Sequence, residues 1–361
     1  MKVIFDSQAF RLEHRGGISR YIARLGVSLF AMGANVEVVA PIHRNLHLLE
    51  ARGLPAYGWF RAQPLFHPRI ERVVNRTLES RAMSRRAADV FHPTFYWPTI
   101  SPKAAARVLT VHDMIHERFR HWHPSNVLLE QKANAVRAAD HIICISEHTR
   151  RDLCELLNVP MEATTVVYHG GAMMPIPATV KLPDEPYLLF VGQRHRHKNF
   201  SVILDAYGEM PALRSELSLV LFGGRPPSAD EWAHARRCGL NPSRIIHVTG
   251  DDATLAAYYA RAQALIYPSL YEGFGMPLLE AMSLACPIIT SNSSCMPEIA
   301  GSAALYFDPE SAPDLARRIV EVMEPELRRR LVGAGRHRER EFSWDRCAAE
   351  TLNVYSRVLD R

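Results

Sequence analysis

The sequence predicts an α/β protein with two domains, each built around a parallel β-sheet that carries helices on both faces. Short apolar segments typical of buried strands alternate with segments of helical character along most of the 361 residues. They form two series, separated by residues 170–186 (GGAMMPIPATVKLPDEP), which are rich in Pro and Gly and show no periodicity. We interpret this segment as a linker, so that one doubly wound domain lies on each side of it.

Each series supplies six predicted strands. The first consists of residues 3–5, 36–39, 90–92, 108–111, 142–145 and 165–168, with helices that begin at Ile18 and near Glu130 and Glu147. The second consists of residues 187–191, 217–222, 245–248, 264–267, 288–290 and 305–307. Beyond Pro309 the pattern is helical, and Phe342, Ser343 and Trp344 introduce the last helix.

Composition excludes several classes of protein. A hydrophobic content of 47% supports two packed cores and argues against a disordered or fibrous chain. No apolar stretch approaches the length of a membrane span, and the opening residues MKVIFDSQAF predict a strand and a loop, so we expect a cytoplasmic protein. The cysteines show no paired metal spacing and predict reduced core thiols; they are Cys144, Cys154, Cys238, Cys286, Cys295 and Cys347.

The net charge of +5 is unevenly distributed. Residues 1–178 hold 22 basic and 15 acidic side chains, whereas residues 179–361 hold 21 and 23. Much of the excess lies in residues 61–86, where arginines alternate with apolar residues at helical spacing. This segment predicts either a peripheral contact with the inner, anionic face of a cell membrane or a solvated helix face. Nucleic-acid binding is not predicted, because no aromatic platform or reading motif accompanies the charge.

Residues 264–290 (ALIYPSLYEGFGMPLLEAMSLACPIIT) carry the strongest indication of chemistry. A short apolar strand ends at Pro268, and the Gly-Phe-Gly turn that follows leads into an apolar helix. The free amides at such a helix start attract phosphate. Glu272 precedes them and Glu280 lies within the helix, so the two carboxylates are suited to opposite ends of one ligand.

Two further segments combine glycine with basic residues. Residues 189–200 (LFVGQRHRHKNF) place a basic loop directly after a strand and a glycine, and residues 15–21 (RGGISRY) form a glycine-rich loop near the start. Together with residues 267–297, these segments resemble, in the expected order, the motifs of family 4 retaining glycosyltransferases. The resemblance implies the GT-B fold, in which two Rossmann-like domains face each other across a cleft and a C-terminal helix crosses back to the first.

The resemblance also implies a division of the chain. We expect an acceptor-binding domain at residues 1–178, a nucleotide-sugar-binding domain at 179–341, and a helix at 342–361 that packs on the first domain. The donor is expected at the carboxyl ends of the strands, in the cleft.

The donor site implied by the resemblance is built around two basic residues. Arg194 and Lys198 correspond to the cations that hold the donor diphosphate, and we expect them to stabilise negative charge on the leaving oxygen. Glu272 is assigned to the sugar and Glu280 to the ribose, neither as a nucleophile. The remaining predicted donor contacts are Gly16, Gly17, Val248, Thr249, Gly273, Phe274, Gly275, Met276 and Leu278.

The first domain is expected to contribute His112, which ends a predicted strand in TVHDMIHERF and resembles the family histidine that faces the reacting sugar. The aromatic residues Phe95 and Tyr96, with Asp113, are predicted to meet the acceptor, although a hydrophobic loop packed on the sheet is the alternative. His116, His121 and His123 are left as surface residues or acceptor contacts.

No metal and no cofactor are expected. The pair Asp251 and Asp252 follows Thr249-Gly250 at a predicted helix start, where capping accounts for it. Arg194, Lys198 and the helix amides already offset the charge of a diphosphate, so a divalent ion is redundant in this scheme.

We therefore predict a retaining hexosyltransferase of surface polysaccharide synthesis. It transfers from a nucleotide-diphosphate sugar, with GDP-mannose favoured, to a saccharide or lipid-linked saccharide. A donor such as dTDP-rhamnose or a UDP-hexose is the alternative. From other classes, a nucleotide-sugar epimerase, a phosphorylase and a binding protein without turnover remain; the phosphorylase is disfavoured because only Lys181 and Lys198 are available in the second half to hold pyridoxal.

Overall fold

The computed structural model describes residues 1–63, 67–122, 125–171, 180–211 and 214–361. The chain forms two compact units. Unit 1 consists of Met1–Gly170 and Ser343–Arg361, and unit 2 of Gly171–Phe342. The boundary predicted from the sequence, after residue 178, lies eight residues further along and falls within residues 172–179, which are outside the described part of the chain.

Unit 1 is built on a seven-stranded parallel sheet of order β3-β2-β1-β4-β5-β6-β7. The predicted alternation of strands and helices is confirmed. The strands are β1 (Lys2–Phe5), β2 (Asn35–His43), β3 (Ala56–Phe60), β4 (Ala87–His92), β5 (Lys103–Val111), β6 (His141–Cys144) and β7 (Thr164–Val166).

The edge strand β3 was not predicted. Its residues are largely exposed, so AYGWF shows no buried apolar run. Gly58 has a φ of +145°, and a Cβ atom there would lie 1.8 Å from the carbonyl oxygen of Ala40. The strand therefore exists through its pairing with β2, which a local pattern does not reveal.

The helices of the first 170 residues cover this sheet. They are α1 (Gln8–Leu12), α2 (Gly17–Ala31), α3 (Leu46–Glu50), α4 (Pro68–Ser84), α5 (Ile115–Arg118), α6 (Val127–Arg137) and α7 (Glu147–Leu157). Ser146 caps α7 by accepting from the backbone N–H of Thr149.

Unit 2 is built on a six-stranded parallel sheet of order β10-β9-β8-β11-β12-β13. Both faces are covered, which explains why the strands are nearly continuous apolar runs. The strands are β8 (Tyr187–Val191), β9 (Ser218–Phe222), β10 (Ile245–Val248), β11 (Ala264–Tyr267), β12 (Ile288–Ser291) and β13 (Ala304–Phe307).

The helices of unit 2 are α8 (Ser201–Gly208), α9 (Ala229–Arg237), α10 (Asp252–Arg261), α11 (Met276–Ser283), α12 (Met296–Ala300), α13 (Ala312–Val322) and α14 (Pro325–Glu339). In the described parts of both units, no helix is long and apolar enough to cross a bilayer.

The last helix, α15 (Trp344–Leu359), completes the core of unit 1. Its buried face packs with α2 and the central strands through Cys347, Ala348, Val354 and Tyr355. The hydroxyl of Tyr355 lies 2.6 Å from Nδ1 of His92. The start of α15 also packs closely against Gly170, in the segment that follows β7. A Cβ atom on Gly170 would be 2.3 Å from the Trp344 backbone nitrogen.

In each sheet the strand order reverses at one point, between β1 and β4 in unit 1 and between β8 and β11 in unit 2. Ligands of doubly wound sheets bind outside the carboxyl ends of the strands at such a switch point. The loops that follow these four strands are therefore expected to bind a ligand.

Candidate functional site

The loops after β8 and β11 leave neighbouring strands at the switch point of unit 2. Residues 196–198 form one 3-10 turn after β8. The two loops are joined by a hydrogen bond of 2.8 Å from the Leu270 N–H to the His197 carbonyl. Two of the segments singled out in the sequence thus form one surface.

Lys198 and Glu272 meet on this surface. The Lys198 ammonium donates to Oε1 of Glu272 at 2.6 Å, and Nζ lies 3.4 Å from the hydroxyl of Tyr267. Burial, together with the Glu272 carboxylate, raises the pKa of Tyr267 well above its usual value, so this hydroxyl stays protonated. Both members of the pair are mostly buried but retain contact with solvent.

The main chain of Glu272 is held by the loop that follows β12. Its N–H donates to Oγ of Ser294 at 3.1 Å, and its carbonyl accepts from Ser294 Oγ at 2.8 Å. Ser294 was not singled out in the sequence. The available signal was position, because SNSSC follows the strand that neighbours β11.

The turn between Glu272 and α11 requires glycine. Gly275 has a φ of +91°, and a Cβ atom there would also lie 3.1 Å from Leu278 Cδ1. Phe274 and Leu278 are buried, and Phe274 packs against Phe342 at 6.0 Å between ring centroids. Any contact of these two residues with a donor would therefore come from the main chain. Met276 is the first residue of α11, and Gly275, as its N-cap, brings no side chain to the helix start.

Glu280 lies inside α11 with 4% of its surface exposed. The hydroxyl of Tyr259 donates to Oε2 of Glu280 at 3.0 Å. Its assignment to a ribose stays a prediction, and Tyr259 is a supporting residue that the sequence did not indicate.

Arg194, which the sequence predicts to hold the donor diphosphate, has partners within unit 2 in this structure. Its side chain is 6% exposed, and Nε donates to Oε1 of Glu231 at 2.8 Å. Its guanidinium also donates to the carbonyl of Arg225 and lies 5.5 Å from the ring of Phe200. Glu231 belongs to the capping box of α9, so Arg194 is tied to a helix start.

Val248 is the last residue of β10, and Thr249 follows it. Strand β9 lies between β10 and β8 in the sheet, so these residues are two strands away from the loop after β8. The carbonyl of Val248 accepts from the N–H of Gly223 at 2.8 Å. Asp251 caps α10 by accepting from the Thr254 N–H at 2.8 Å, which confirms the capping interpretation.

The candidate residues of unit 1 gather at the carboxyl end of β5. His112 is 6% exposed, and burial lowers its pKa to about 4, with Lys132 adding to the effect and Asp113 opposing it. The neutral imidazole is thus the form present near neutral pH. The backbone N–H of His112 donates to the hydroxyl of Tyr96 at 3.0 Å.

This bond changes the interpretation of Tyr96. The ring is 4% exposed and supports the main chain of His112, so its side chain is not presented to an acceptor in this structure. Phe95 is partly buried against Tyr96, with ring centroids 4.6 Å apart. Asp113 accepts from the Ile115 N–H at 3.1 Å and lies 3.8 Å from the buried ammonium of Lys132.

Gly16 and Gly17 begin α2. Gly16 is the N-cap, and a Cβ atom there would lie 2.6 Å from a carboxylate oxygen of Glu13, whereas a Cβ atom on Gly17 would meet nothing within 4 Å. The loop therefore offers open main chain at Gly17. His116 and His121 lie near α5, and His123 is outside the described residues.

The six cysteines are free thiols. Cys144, Cys286, Cys295 and Cys347 are buried as predicted, whereas Cys154 and Cys238 are only partly buried and do not belong to the core. Among the described residues, potential metal-ligand atoms of Asp205 on α8, His234 on α9 and Cys238 at the end of α9 lie within 4.8 Å of one another. This group shares no residue with the loops after β8 and β11, and the expectation of a metal-free reaction remains a prediction.

Comparison with known families decides the class. The model of the family "Glycosyl transferases group 1" matches residues 176–338, and that of "Glycosyltransferase Family 4" matches residues 15–170. The chain belongs to glycosyltransferase family 4. The two matches cover most of this glycosyltransferase, and they include all three loops singled out in its sequence.

Curated relatives extend over the whole chain. The O-antigen chain mannosyltransferase B of Escherichia coli is 27% identical to this glycosyltransferase, over 98% of the chain and 99% of the relative. The D-inositol 3-phosphate glycosyltransferase of Xylanimonas cellulosilytica is 26% identical over 96% and 93%.

Solved structures share the GT-B fold of this glycosyltransferase. Sucrose-phosphate synthase from Thermosynechococcus elongatus superposes with a TM-score of 0.79 at 21% identity, covering 100% of this chain and 99% of that one. An Anabaena protein in complex with UDP and glucose gives a TM-score of 0.74 at 16% identity, covering 99% of each chain.

Proposed function

We propose that this glycosyltransferase moves mannose from GDP-mannose to a saccharide or lipid-linked saccharide acceptor, with retention of anomeric configuration, in the synthesis of a surface polysaccharide. The observation that carries the proposal is the meeting of Lys198 and Glu272 beside the start of α11. The choice of mannose is supported by the full-length similarity to a protein named O-antigen chain mannosyltransferase B.

The pair suits the charges that develop during transfer. As the bond from the anomeric carbon to the diphosphate breaks, negative charge grows on the leaving oxygen and positive charge on the sugar. Lys198 is a compact cation for the first, and Glu272 an anion for the second. Because they are already hydrogen-bonded, both charges are in position before the donor binds.

The transfer needs no enzyme nucleophile in this scheme. The acceptor oxygen forms its bond to the anomeric carbon on the face that the diphosphate leaves, and the acceptor proton passes to the leaving phosphate. His112, held neutral by burial, contributes a hydrogen bond to the donor sugar or phosphate. No metal or organic cofactor takes part.

The helix α4 supports work at the inner face of a membrane. Ile70 and Val73 expose 53% and 65% of their surface, and Arg76 and Arg81 on the same helix are exposed. Apolar and cationic side chains on one exposed helix favour binding to anionic lipid. Flotation with anionic liposomes should recover the protein at low salt and lose it at high salt; no binding at low salt would contradict this part.

The donor is tested in two steps. Calorimetry with GDP, UDP and dTDP should rank GDP first, and incubation with GDP-mannose and a lipid-linked oligosaccharide should yield one added mannose. Proton NMR of the product should show the α-linkage expected from an α-linked donor. Tightest binding of dTDP with transfer of rhamnose would replace the donor assignment, and conversion of free donor without an acceptor would indicate an epimerase.

A further inference from the structure

Three side chains of different chemical types converge between α8 and α9 of unit 2. They are Asp205 on α8, His234 on α9 and Cys238 at the end of α9, and their ligand atoms all lie within 4.8 Å of one another. Nε2 of His234 is 2.6 Å from Oδ1 of Asp205, and Sγ of Cys238 is 3.6 Å from the same oxygen. One nitrogen, one oxygen and one sulfur atom thus share one small volume.

The two ligands on α9 are fixed by the helix itself. His234 and Cys238 are four residues apart and therefore lie on the same helix face. The N–H of Cys238 donates to the His234 carbonyl at 3.0 Å, so a full helical turn separates them. Two metal ligands four residues apart on a helix can bind the same ion. The spacing of the cysteines alone does not reveal this group, because its other members are a histidine and an aspartate.

The main chain around Cys238 is held in place. Its carbonyl accepts from the guanidinium of Arg214 at 3.1 Å, and the next residue, Gly239, has a φ of +73° that favours glycine. On the facing helix, a Cβ atom on Gly208 would lie 3.5 Å from Cβ of Cys238, so the two helices are in close contact here. Asp205 lies three residues before Gly208, on the same face of α8.

The distances are close to those around a tetrahedral zinc ion. Zinc bonds to nitrogen and oxygen are about 2.0 Å long and those to sulfur about 2.3 Å, so neighbouring ligand atoms are roughly 3.2–3.6 Å apart. The contact between His234 and Asp205 has to open by less than about 1 Å to match. The Asp205 side chain can adjust because it is 46% exposed. Sulfur and nitrogen ligands favour zinc over magnesium and calcium, which prefer oxygen.

The charges of the group suit a divalent cation. Burial, and after it the Asp205 carboxylate, raise the pKa of the Cys238 thiol, so without a metal the thiol keeps its proton and donates towards that carboxylate. A divalent ion takes the place of this proton, which is released to solvent. The thiolate and the carboxylate then balance the two positive charges of the ion, and the neutral imidazole of His234 completes the set of protein ligands.

The group lies away from the candidate donor site. Helix α8 connects β8 to β9, and α9 connects β9 to β10. Because these strands are parallel, both helices run back antiparallel to them, and their last turns lie towards the amino edge of the sheet. Gly208 and Cys238 belong to those last turns. An ion held there is remote from the loops at the carboxyl edge, so its effect is on the packing of the two helices.

We propose that Asp205, His234 and Cys238 bind a zinc ion that cross-links α8 to α9, with a water molecule as the fourth ligand. The site takes no part in the proposed transfer reaction and does not depend on it. Since only three ligands come from the protein, binding is reversible, and zinc acts as a ligand that stabilises unit 2.

The test titrates the full chain, first freed of metal with a chelator, with Zn²⁺ alone. Calorimetry should show a single Zn²⁺ per chain with a Kd of about 1 μM or below, and Mg²⁺ should not compete. At about 100 times its Kd, Zn²⁺ should raise the Tm by about 5 °C. Titration with Co²⁺ should produce the near-ultraviolet absorption band of a cobalt thiolate. Absence of zinc binding, or a cobalt complex without the thiolate band, would overturn the proposal.

Variants distinguish a metal site from a group of hydrogen-bonded side chains. Asp205→Asn keeps an oxygen that can accept from His234 but loses the charge, and it should raise the Kd for Zn²⁺ by about tenfold or more. Cys238→Ser should do the same and abolish the cobalt thiolate band. The matched control is Cys154→Ser, which changes the other partly buried thiol and should bind Zn²⁺ like the wild type. Equal affinity of the wild type and both site variants would mean adventitious zinc only and would refute the site.

Discussion

The ammonium of Lys198 and the carboxylate of Glu272 lie 2.6 Å apart at the carboxyl edge of the unit 2 sheet, although 74 residues separate them in the chain. They are placed by neighbouring strands, β8 and β11, and the hydrogen bond from Leu270 to His197 keeps their loops together. Opposite charges in contact at a candidate site for a diphosphate imply that removing the cation and removing the anion change the affinity for GDP in opposite directions.

Removal of the cation should reduce both binding and turnover. Lys198→Ala removes the positive charge that the proposed function assigns to the diphosphate, and it leaves Glu272 as an uncompensated anion at the same place. We expect kcat to fall by about 100-fold or more and GDP to bind more weakly. Steady-state kinetics and calorimetry measure both. Lys181→Ala, which removes an exposed lysine of unit 2, should match the wild type.

Neutralisation of the anion should separate binding from turnover. Glu272→Gln keeps the shape of the side chain but frees Lys198 from its partner. GDP should bind as tightly as to the wild type or more tightly, while kcat falls by about 100-fold because the sugar loses its anion. Weaker GDP binding with unchanged kcat would show that Glu272 only supports the loop.

Stability should decrease in mild acid. The pKa of His112 is lowered by burial to about 4 and that of His92 to about 3, against an ordinary value of 6.5. Between about pH 6.5 and 4 the unfolded chain thus binds more protons than the folded one. The contribution of these histidines to the free energy of unfolding is therefore fully present above pH 6.5 and is lost as the pH falls. Urea unfolding at pH 7.5, 6 and 5 should show this loss.

His112→Asn should reduce the dependence of that unfolding free energy on pH. Each depressed histidine contributes up to about 3 kcal/mol over the whole window, so the variant should lose part of the slope and keep the part due to His92. A slope identical to that of the wild type would mean that His112 is accessible to protons in the folded state.

A methyl group at Gly170 should displace the start of α15. The ideal Cβ would lie 2.3 Å from the nitrogen and 2.7 Å from the Cα of Trp344, both main-chain atoms that do not rotate away. Gly170→Ala should therefore destabilise the fold by about 1–3 kcal/mol, as overpacking does elsewhere. The matched control is Gly333→Ala within α14, where a Cβ meets nothing within 4 Å, and it should be neutral or stabilising by about 0.5–1 kcal/mol. Thermal and urea unfolding measure both.

The parts of the structure that depend on local pattern could be predicted from the sequence. Buried parallel strands such as β8 and β11 are continuous apolar runs because both of their faces are covered, and a proline or glycine marks where each ends. The loops after β8 and β11 were recognisable as candidates because they follow such strands directly. In contrast, β3 is exposed on most residues, and its sequence resembles a loop.

The parts that depend on distant partners could not be predicted. Arg194 was predicted to hold a diphosphate, which stays a prediction. Its pairing with Glu231 joins residues 37 apart, and nothing local indicates it. Tyr96 is buried with its hydroxyl bonded to the His112 main chain, and the main chain of Trp97 is hydrogen-bonded by Gln8, 89 residues away. In an aromatic run such as FHPTFYW, only the packing of the neighbouring strands decides which ring faces outward.

Because α15 supplies Cys347, Ala348 and Tyr355 to the interior of unit 1, that interior is completed by residues made after all of unit 2. Unit 2 is one continuous segment of the chain and is synthesised completely before α15. At that stage unit 1 still exposes the groove that α15 fills. A chain that ends before residue 343 should therefore leave apolar surface of unit 1 exposed, and unit 1 should be its aggregation-prone half.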